Sequence, residues 1–301
     1  MIPVRKVREL TLERVEGDEH SSHVSAASSL VREKETLFVI ADDERQLALF
    51  PTGGGSHGRM IDILEVAAPA SSDKPDLEAL TFLPPWRGHP HGALLAIASG
   101  SKKTRTHGAL VPLDERGLPS DGHGSVDLSD LYSGLSSRVE KLNLEGAAVI
   151  GDVLCLMQRG NAEGATNAVV QLDLDKVSAD LGEGRIAATS IVSIDPYDLG
   201  HLHGVKLSFS DASPLEDGRM AFAASAEAPS KGQDGATVGS SIGVMELSGD
   251  VTMLEPIDAD IKIEGLTARL EQGRMELLMV TDADDPSVPS PLLAAEIPEA
   301  G

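Results

Sequence analysis

Apolar residues in this chain fall in short blocks rather than at helical spacing. Residues 36–41, 77–83, 93–98, 144–150 and 153–157 are near-continuous runs of Ala, Leu, Val, Ile and Phe, each bounded by Gly, Asp, Asn, Ser or Pro. Runs of this length between turn residues predict strands buried on both faces. One block carries a recognisable polar head. Asn143-Leu144-Glu145-Gly146-Ala147-Ala148-Val149 is followed by a turn at Gly151-Asp152 and a second apolar run. Residues 76–82 and 262–268 repeat this polar, aliphatic, Glu, small, aliphatic order, and looser copies occur at 24–30 and 209–215.

Five copies of one supersecondary unit predict a repeat architecture. The first unit takes strands at 26–30, 36–41, 46–50 and 60–66. The second takes 77–83, 93–98 and 107–113, with a fourth strand within 125–142. The third takes 144–150, 153–157, 167–174 and 185–194, with a helical turn over 175–181. The fourth takes 205–215, 219–224, 241–247 and 251–256, interrupted by a polar, Gly/Ser-rich excursion over 227–240. The fifth takes 263–270, 274–281 and 291–297 and is one strand short. Residues 4–15 read as an unpartnered strand that would supply the missing one and remove an exposed edge. The expectation is an all-β protein, a five-bladed β-propeller of four-stranded blades closed by the N-terminal strand, in one domain over 1–301. Six blades is the alternative. Motif heads recur at intervals of 53 to 67 residues, which suits blades with variable loops better than a solenoid or sandwich.

The composition narrows partners more than function. With 48 acidic and 25 basic residues, the net charge of −23 repels nucleic acid and anionic membrane. No nucleic-acid or membrane partner is expected, and a monomer is. Aromatic residues make up only 3%, so the interior must be packed from small and medium aliphatic side chains. Cys155 is the single cysteine and falls inside an apolar strand, where an inert buried thiol is expected. No run of 18 apolar residues and no secretory leader is visible, giving a cytoplasmic expectation, or a periplasmic one if a leader was removed.

Propeller geometry places the motif heads around one channel mouth. Glu78, Glu145 and Glu264, with Ser25 and Ser210 at equivalent places, would surround the axis, and His23, Asp76, Asn143, Ser208 and Lys262 precede them by one strand period. Exits of the second strands, at Asp42 and Asp43, 99–102, 158–161, Ser225 and Glu227, and 282–285, form a second ring. Three inward carboxylates repel one another unless a cation offsets them. Hard oxygen donors suit Ca²⁺ or Mg²⁺; the competing reading makes these glutamates staples to the neighbouring blade. Two His-x-His pairs, His89/His91 and His201/His203, have a spacing that zinc sites use, without an evident third ligand. Gly53, Gly55 and Gly58 fit a hairpin turn rather than a dinucleotide fingerprint, because no helix follows. The acidic run at 282–285 lacks the glycine and distal glutamate of an EF-hand and reads as a polar strand exit. No nucleophile elbow, P-loop or Cys-x-x-Cys is present.

The Leu-Glu-Gly and Ile-Glu-Gly strand starts, with Asp-bearing second-strand exits, resemble bacterial propellers of the phytase-like (esterase-like) and SdiA-regulated type and related families of unknown function. Glu78, Glu145 and Glu264 are the positions that match; Ser25 and Ser210 depart from the acidic pattern. The resemblance implies a divalent-metal or phosphoester-related site at the mouth. Two functions follow as expectations. One is a propeller that binds a small-molecule or protein ligand through Asn143, His203, Trp86, Lys262 and Lys102. The other is a metal-dependent hydrolase of phosphoesterase or lactonase type, with Glu78, Glu145 and Glu264 on the metal and Lys262 and Lys102 stabilising anionic charge.

Overall fold

In a computed structural model, which describes residues 1–13, 22–55, 57–64, 74–228, 237–282 and 285–298, the chain forms five antiparallel sheets arranged as a five-bladed propeller. Blade one is β2 (Ala27–Glu33), β3 (Thr36–Ala41), β4 (Gln46–Pro51) and β5 (Arg59–Asp62), after β1 (Arg5–Glu9). Blade two is β6 (Leu77–Leu83), β7 (Ala93–Ala98), β8 (His107–Pro112) and β9 (Gly124–Asp127). Blade three is β10 (Leu144–Ile150), β11 (Val153–Gln158), β12 (Asn167–Asp173) and β13 (Ile191–Tyr197). Blade four adds a short leading strand, β14 (His201–Leu202), to β15 (Val205–Pro214), β16 (Met220–Glu227), β17 (Thr237–Met245) and β18 (Val251–Pro256). Blade five is β19 (Gly265–Glu271), β20 (Arg274–Val280) and β21 (Pro291–Pro298), completed by β1 in the order β1-β21-β20-β19. The closure expected for the N-terminal strand is observed, with Arg5 opposite Ala294 and Glu9 opposite Pro291.

The continuous apolar runs are explained by where successive side chains go. A middle strand has a neighbouring blade on each face, so both of its alternating sets must be apolar. Along β7, Ala93, Leu95 and Ile97 pack toward blade three, whereas Leu94, Ala96 and Ala98 pack toward blade one. In β16, Ala221 and Ala223 face blade five, and Met220, Phe222 and Ala224 face blade three. The interior is therefore five interblade cores, not one central one. Cys155 belongs to the core between blades three and four and is fully buried. Burial pushes its thiol up to about 12, in keeping with an inert group.

Several boundaries differ from the sequence expectation. The fourth strand of blade two is followed by α1 (Ser129–Ser136), whose Leu131, Tyr132 and Leu135 seal the blade two/three core. Eight residues with three apolar positions give too short a periodic signal to separate helix from strand. In blade three, residues 174–181 form α2 (Leu174–Leu181), a two-turn helix capped by the Asp173 carboxylate on the Lys176 N–H. The next strand starts at Ile191, later than expected, after a 3₁₀ turn at Ala188–Ser190. Gly53, Gly55 and Gly58 lie in the β4–β5 connection, as a hairpin turn requires. Parts of the expected segments 4–15, 60–66 and 227–240 fall outside the described residues.

Candidate functional site

Of the five innermost strands, β2, β6, β10 and β15 each carry an irregularity of register near the axis, whereas β19 pairs regularly from Gly265. On β6, Leu77 pairs with Ala98 and Ala79 with Ile97, leaving Glu78 as the extra residue. The same one-residue bulge isolates Glu145 on β10, Ser210 on β15 and Ser28 on β2. Before β19, the Glu264 N–H bonds Val280 O at 3.0 Å although Gly265 is the residue paired with Val280. A bulged residue owes nothing to the cross-strand ladder, so its side chain can be aimed inward. The blade-one counterpart of the glutamates is thus Ser28, not the Ser25 that motif counting indicates.

Directly below the bulges the channel is closed. Asp211 Oδ2 accepts from Ser29 Oγ at 3.0 Å and from the Leu266 N–H at 2.7 Å, and Ser29 Oγ accepts from the Leu80 N–H at 3.1 Å. Gly146 completes this waist, because a Cβ there would lie 2.7 Å from Asp211 Cα. All five blades meet at this plug. Burial holds the Asp211 carboxyl well above the ordinary range, against its hydrogen bonds.

Above the plug lies a cavity of about 490 Å³. Glu78, Glu145, Glu264, Asn143, Lys262 and Lys102 all line it. Asp42, Lys74, Asp76, Arg105, Arg159 and Asp282 complete the charged wall. On one side the charges alternate in an unbroken chain. Arg159 bridges Glu145 (3.1 Å) and Glu227; Lys262 bridges Glu227 (3.0 Å) and Glu264 (2.5 Å). Asn143 Nδ2 donates to Glu145. Burial works against both cations, yet Glu145 and Glu227 hold Arg159, and Glu264 and Glu227 hold Lys262, above their ordinary values. Burial likewise opposes Glu227, but Arg159 and Lys262 bring it below the usual carboxylate range. For Glu145, burial prevails over Arg159 and Lys262, and its value is raised.

The opposite side is arranged differently. Asp76 accepts from Arg105 at 2.6 Å and from the Ser99 and Ser101 hydroxyls, and Asp42 pairs with Lys74 at 3.1 Å. Asp76 sits at φ 59°, a left-handed conformation that asparagine and aspartate tolerate better than most residues. Its N–H bonds Asp42 O and its own carbonyl accepts from Ser99 N–H, both at 2.9 Å, which fixes that geometry. Glu78 has no hydrogen bond or ion pair among the described residues. Burial first, then the charges of Glu145, Asp76, Glu264 and Asp42, push its carboxyl well above the ordinary range. One oxygen each from Asp42, Asp76 and Glu78 lies within 4.8 Å of the others.

Trp86 and His203 are placed elsewhere. Trp86 follows the end of β6 remote from Glu78, stacked on His89 with ring centroids 4.2 Å apart. His203 is the exposed tip of the β14–β15 hairpin at φ 50°. Neither lines the cavity. Lys74 and Arg105 were not foreseen at all: both lie in loops outside the repeated motif, and nothing in their local sequence marks the carboxylates they meet.

Among the described residues no helix is long and apolar enough to cross a membrane. No protein of curated function matches the chain. Among solved structures, an N-acetylgalactosamine deacetylase from F. plautii in complex with blood group B trisaccharide is similar at 9% identity and TM-score 0.54, over 98% of this chain and 95% of that one. A mannose phosphorylase from Leishmania mexicana in complex with phosphate ion is similar at 14% identity and TM-score 0.48, over 98% and 89%. A luciferin-regenerating enzyme is similar at 12% identity and TM-score 0.47, over 99% and 97%. At such identities the likeness concerns the propeller fold. Residues 23–297 match the model of a family of unknown function, DUF6929, and the chain belongs to that family.

Proposed function

We propose that the protein binds a small, strongly polar molecule in the mouth cavity, and that a positively charged group of this ligand sits against Glu78. The observation that carries this reading is the Glu78 carboxylate, which lines a cavity of small-molecule size without a partner among the described residues, while the charges that act on it most strongly, after burial, are those of other acids. A cation there would restore the ionised form that burial disfavours. Lys102 lines the same cavity and likewise has no ion pair among the described residues, leaving one charge of each sign for a ligand. Glu145, Glu264, Lys262 and Asn143 then act as a preformed wall. Thermal unfolding in the presence of lysine, spermidine and glycine betaine tests this. Binding should stabilise by about 2.7 kcal/mol at a hundredfold excess over Kd, and Glu78→Gln and Lys102→Ala should each weaken it. A panel that leaves the melting temperature unchanged sinks the reading.

A second reading is a divalent-metal-dependent hydrolase, favoured by the convergence of Asp42, Asp76 and Glu78. Oxygen donors of this kind suit Ca²⁺ or Mg²⁺, which would supply Lewis-acid chemistry when bound. In both candidate sets two of the three carboxylates are already ion-paired, Asp76 with Arg105 and Asp42 with Lys74 in one, Glu145 with Arg159 and Glu264 with Lys262 in the other, and the first is preferred because its oxygens converge within 4.8 Å. Isothermal titration of chelator-treated protein with Ca²⁺ and Mg²⁺ separates the sets. Heat lost in Glu78→Gln but kept in Glu145→Gln supports the first trio; loss in both supports the second. Absence of heat removes the metal, and turnover of a generic phosphomonoester or lactone tests the hydrolase.

A further inference from the structure

The far end of the channel is a separate chamber. Beyond the Asp211 plug, the C-terminal halves of all five innermost strands enclose a cavity of about 260 Å³. Its character is unlike that of the mouth. Leu30, Phe82, Ala147, Ala212 and Leu266 supply apolar wall, and two arginines, Arg32 and Arg269, line it from adjacent blades. The same two arginines line a smaller cleft of about 100 Å³ at the seam between blades five and one, where Arg5 of the closing strand joins them. None of these three arginines has an ion pair or side-chain hydrogen bond among the described residues.

The cleft also holds Glu276, which stands across the strand pair from Arg269, and Glu296, and Arg5 is exposed, so the chamber itself is distinguished by Arg32 and Arg269. Two further atoms point the same way. Arg32 Nε is shielded from water and has no acceptor, and Thr81, which is 1% exposed and lines the chamber, has a hydroxyl without a partner. Arg32 as a whole is half-buried, but a donor atom shielded from water without an acceptor is costly to keep, so folded proteins normally supply one. Of the acids in the chamber wall, Glu216 accepts from the Leu270 N–H at 2.9 Å, and neither it nor Glu33 forms an ion pair with either arginine among the described residues.

We propose that this chamber is a second binding site, which takes a small oxyanion with a short apolar body on the guanidiniums of Arg32 and Arg269 and the Thr81 hydroxyl. Guanidinium forks match the paired oxygens of carboxylate and phosphate groups, and both chemistries are met by the same donors. The apolar wall selects what the oxyanion is attached to. This site does not depend on the mouth, from which the plug separates it.

The test is a titration of the full chain with benzoate and, separately, with inorganic phosphate, each against sodium chloride at matched ionic strength. Saturable binding of at least one probe is expected. It should weaken by about tenfold or more in Arg32→Gln and in Arg269→Gln, as loss of a charge-assisted bidentate contact implies. It should weaken by a smaller factor in Thr81→Val, which keeps the shape of the side chain. Glu78→Gln and Lys102→Ala at the mouth should leave it unchanged. Preference for benzoate identifies a carboxylate ligand, and preference for phosphate a phosphorylated one. Should Arg32→Gln fail to fold, Arg269→Gln, which removes no atom buried without a partner, decides. Absence of saturable binding by both probes, or binding undiminished in the arginine variants, overturns the proposal.

Discussion

The two sides of the mouth cavity hold similar residues in opposite states. From Glu145 through Arg159, Glu227 and Lys262 to Glu264, each cation lies between two carboxylates, and the Arg159 and Lys262 side chains are only 8% and 18% exposed. Across the cavity, Asp42, Asp76 and Glu78 share two cations, and one of these, Lys74, is 53% exposed and screened by water. The total charge of a site is therefore a poor guide to its use. What matters is whether each group is compensated where it stands. The alternating chain is a finished structural element, and a ligand could add little to it. The acid-rich side is unfinished, so a bound cation would contribute most there.

Breaking the finished side should have the largest effect. Arg159→Met leaves Glu145 and Glu227 buried without their shared cation and is expected to cost about 3–5 kcal/mol in urea unfolding at neutral pH. A loss under about 1 kcal/mol would mean that the two sides do not differ. Replacing a carboxylate on that side should matter less. Glu145→Ala deprives both Asn143 and Arg159 of an acceptor and should cost about 1–3 kcal/mol, whereas Glu145→Gln keeps an accepting oxygen and should cost about 1 kcal/mol or less. If the two variants unfold at the same urea concentration, that hydrogen bonding is not what the chain contributes.

On the unfinished side the sign should reverse. Glu78 has a carboxyl raised in the folded state, so between the ordinary glutamate value and the raised one the folded protein binds the extra proton. Stability from this group is then lost as pH rises through that window. Glu145, Asp42 and Asp211 are raised and add slopes of the same sign. Glu78→Gln should consequently be slightly more stable than the unmutated protein at neutral pH, with a flatter dependence on pH. Unfolding midpoints that move the other way with pH would show that Glu78 is compensated after all.

The sequence made the architecture legible because propeller blades bury their middle strands on both faces, and runs such as Ala93 to Ala98 have no other economical reading. The three glutamates were legible because each stands at the head of a repeated motif, Glu78 and Glu145 in a bulge and Glu264 just before its strand. Blade one was misaligned at that point: Ala26, Ala27, Ser28 and Ser29 are too alike for counting to locate the inserted residue, and pairing with β3 decides it. Trp86 and His203 carry attractive chemistry, yet Trp86 follows the far end of β6 and His203 is the exposed tip of a hairpin that precedes β15, so neither reaches the cavity. The pairing of Arg159 with Glu227, 68 residues apart, is a product of the ring itself. The oxyanion chamber left no local signature, since Arg32 and Arg269 stand among ordinary strand residues.

The bulges also bear on how such a protein can change. Because Glu78, Glu145, Ser28 and Ser210 are each skipped by the ladder that holds their blade together, a substitution there alters the lining of the axis while leaving sheet register, and hence the interblade cores, untouched. The ring thus presents a set of exchangeable sockets on a fixed frame, two already filled by serine and two by glutamate. A single substitution at a socket can therefore change the charge of the axis without a compensating change anywhere in the strands.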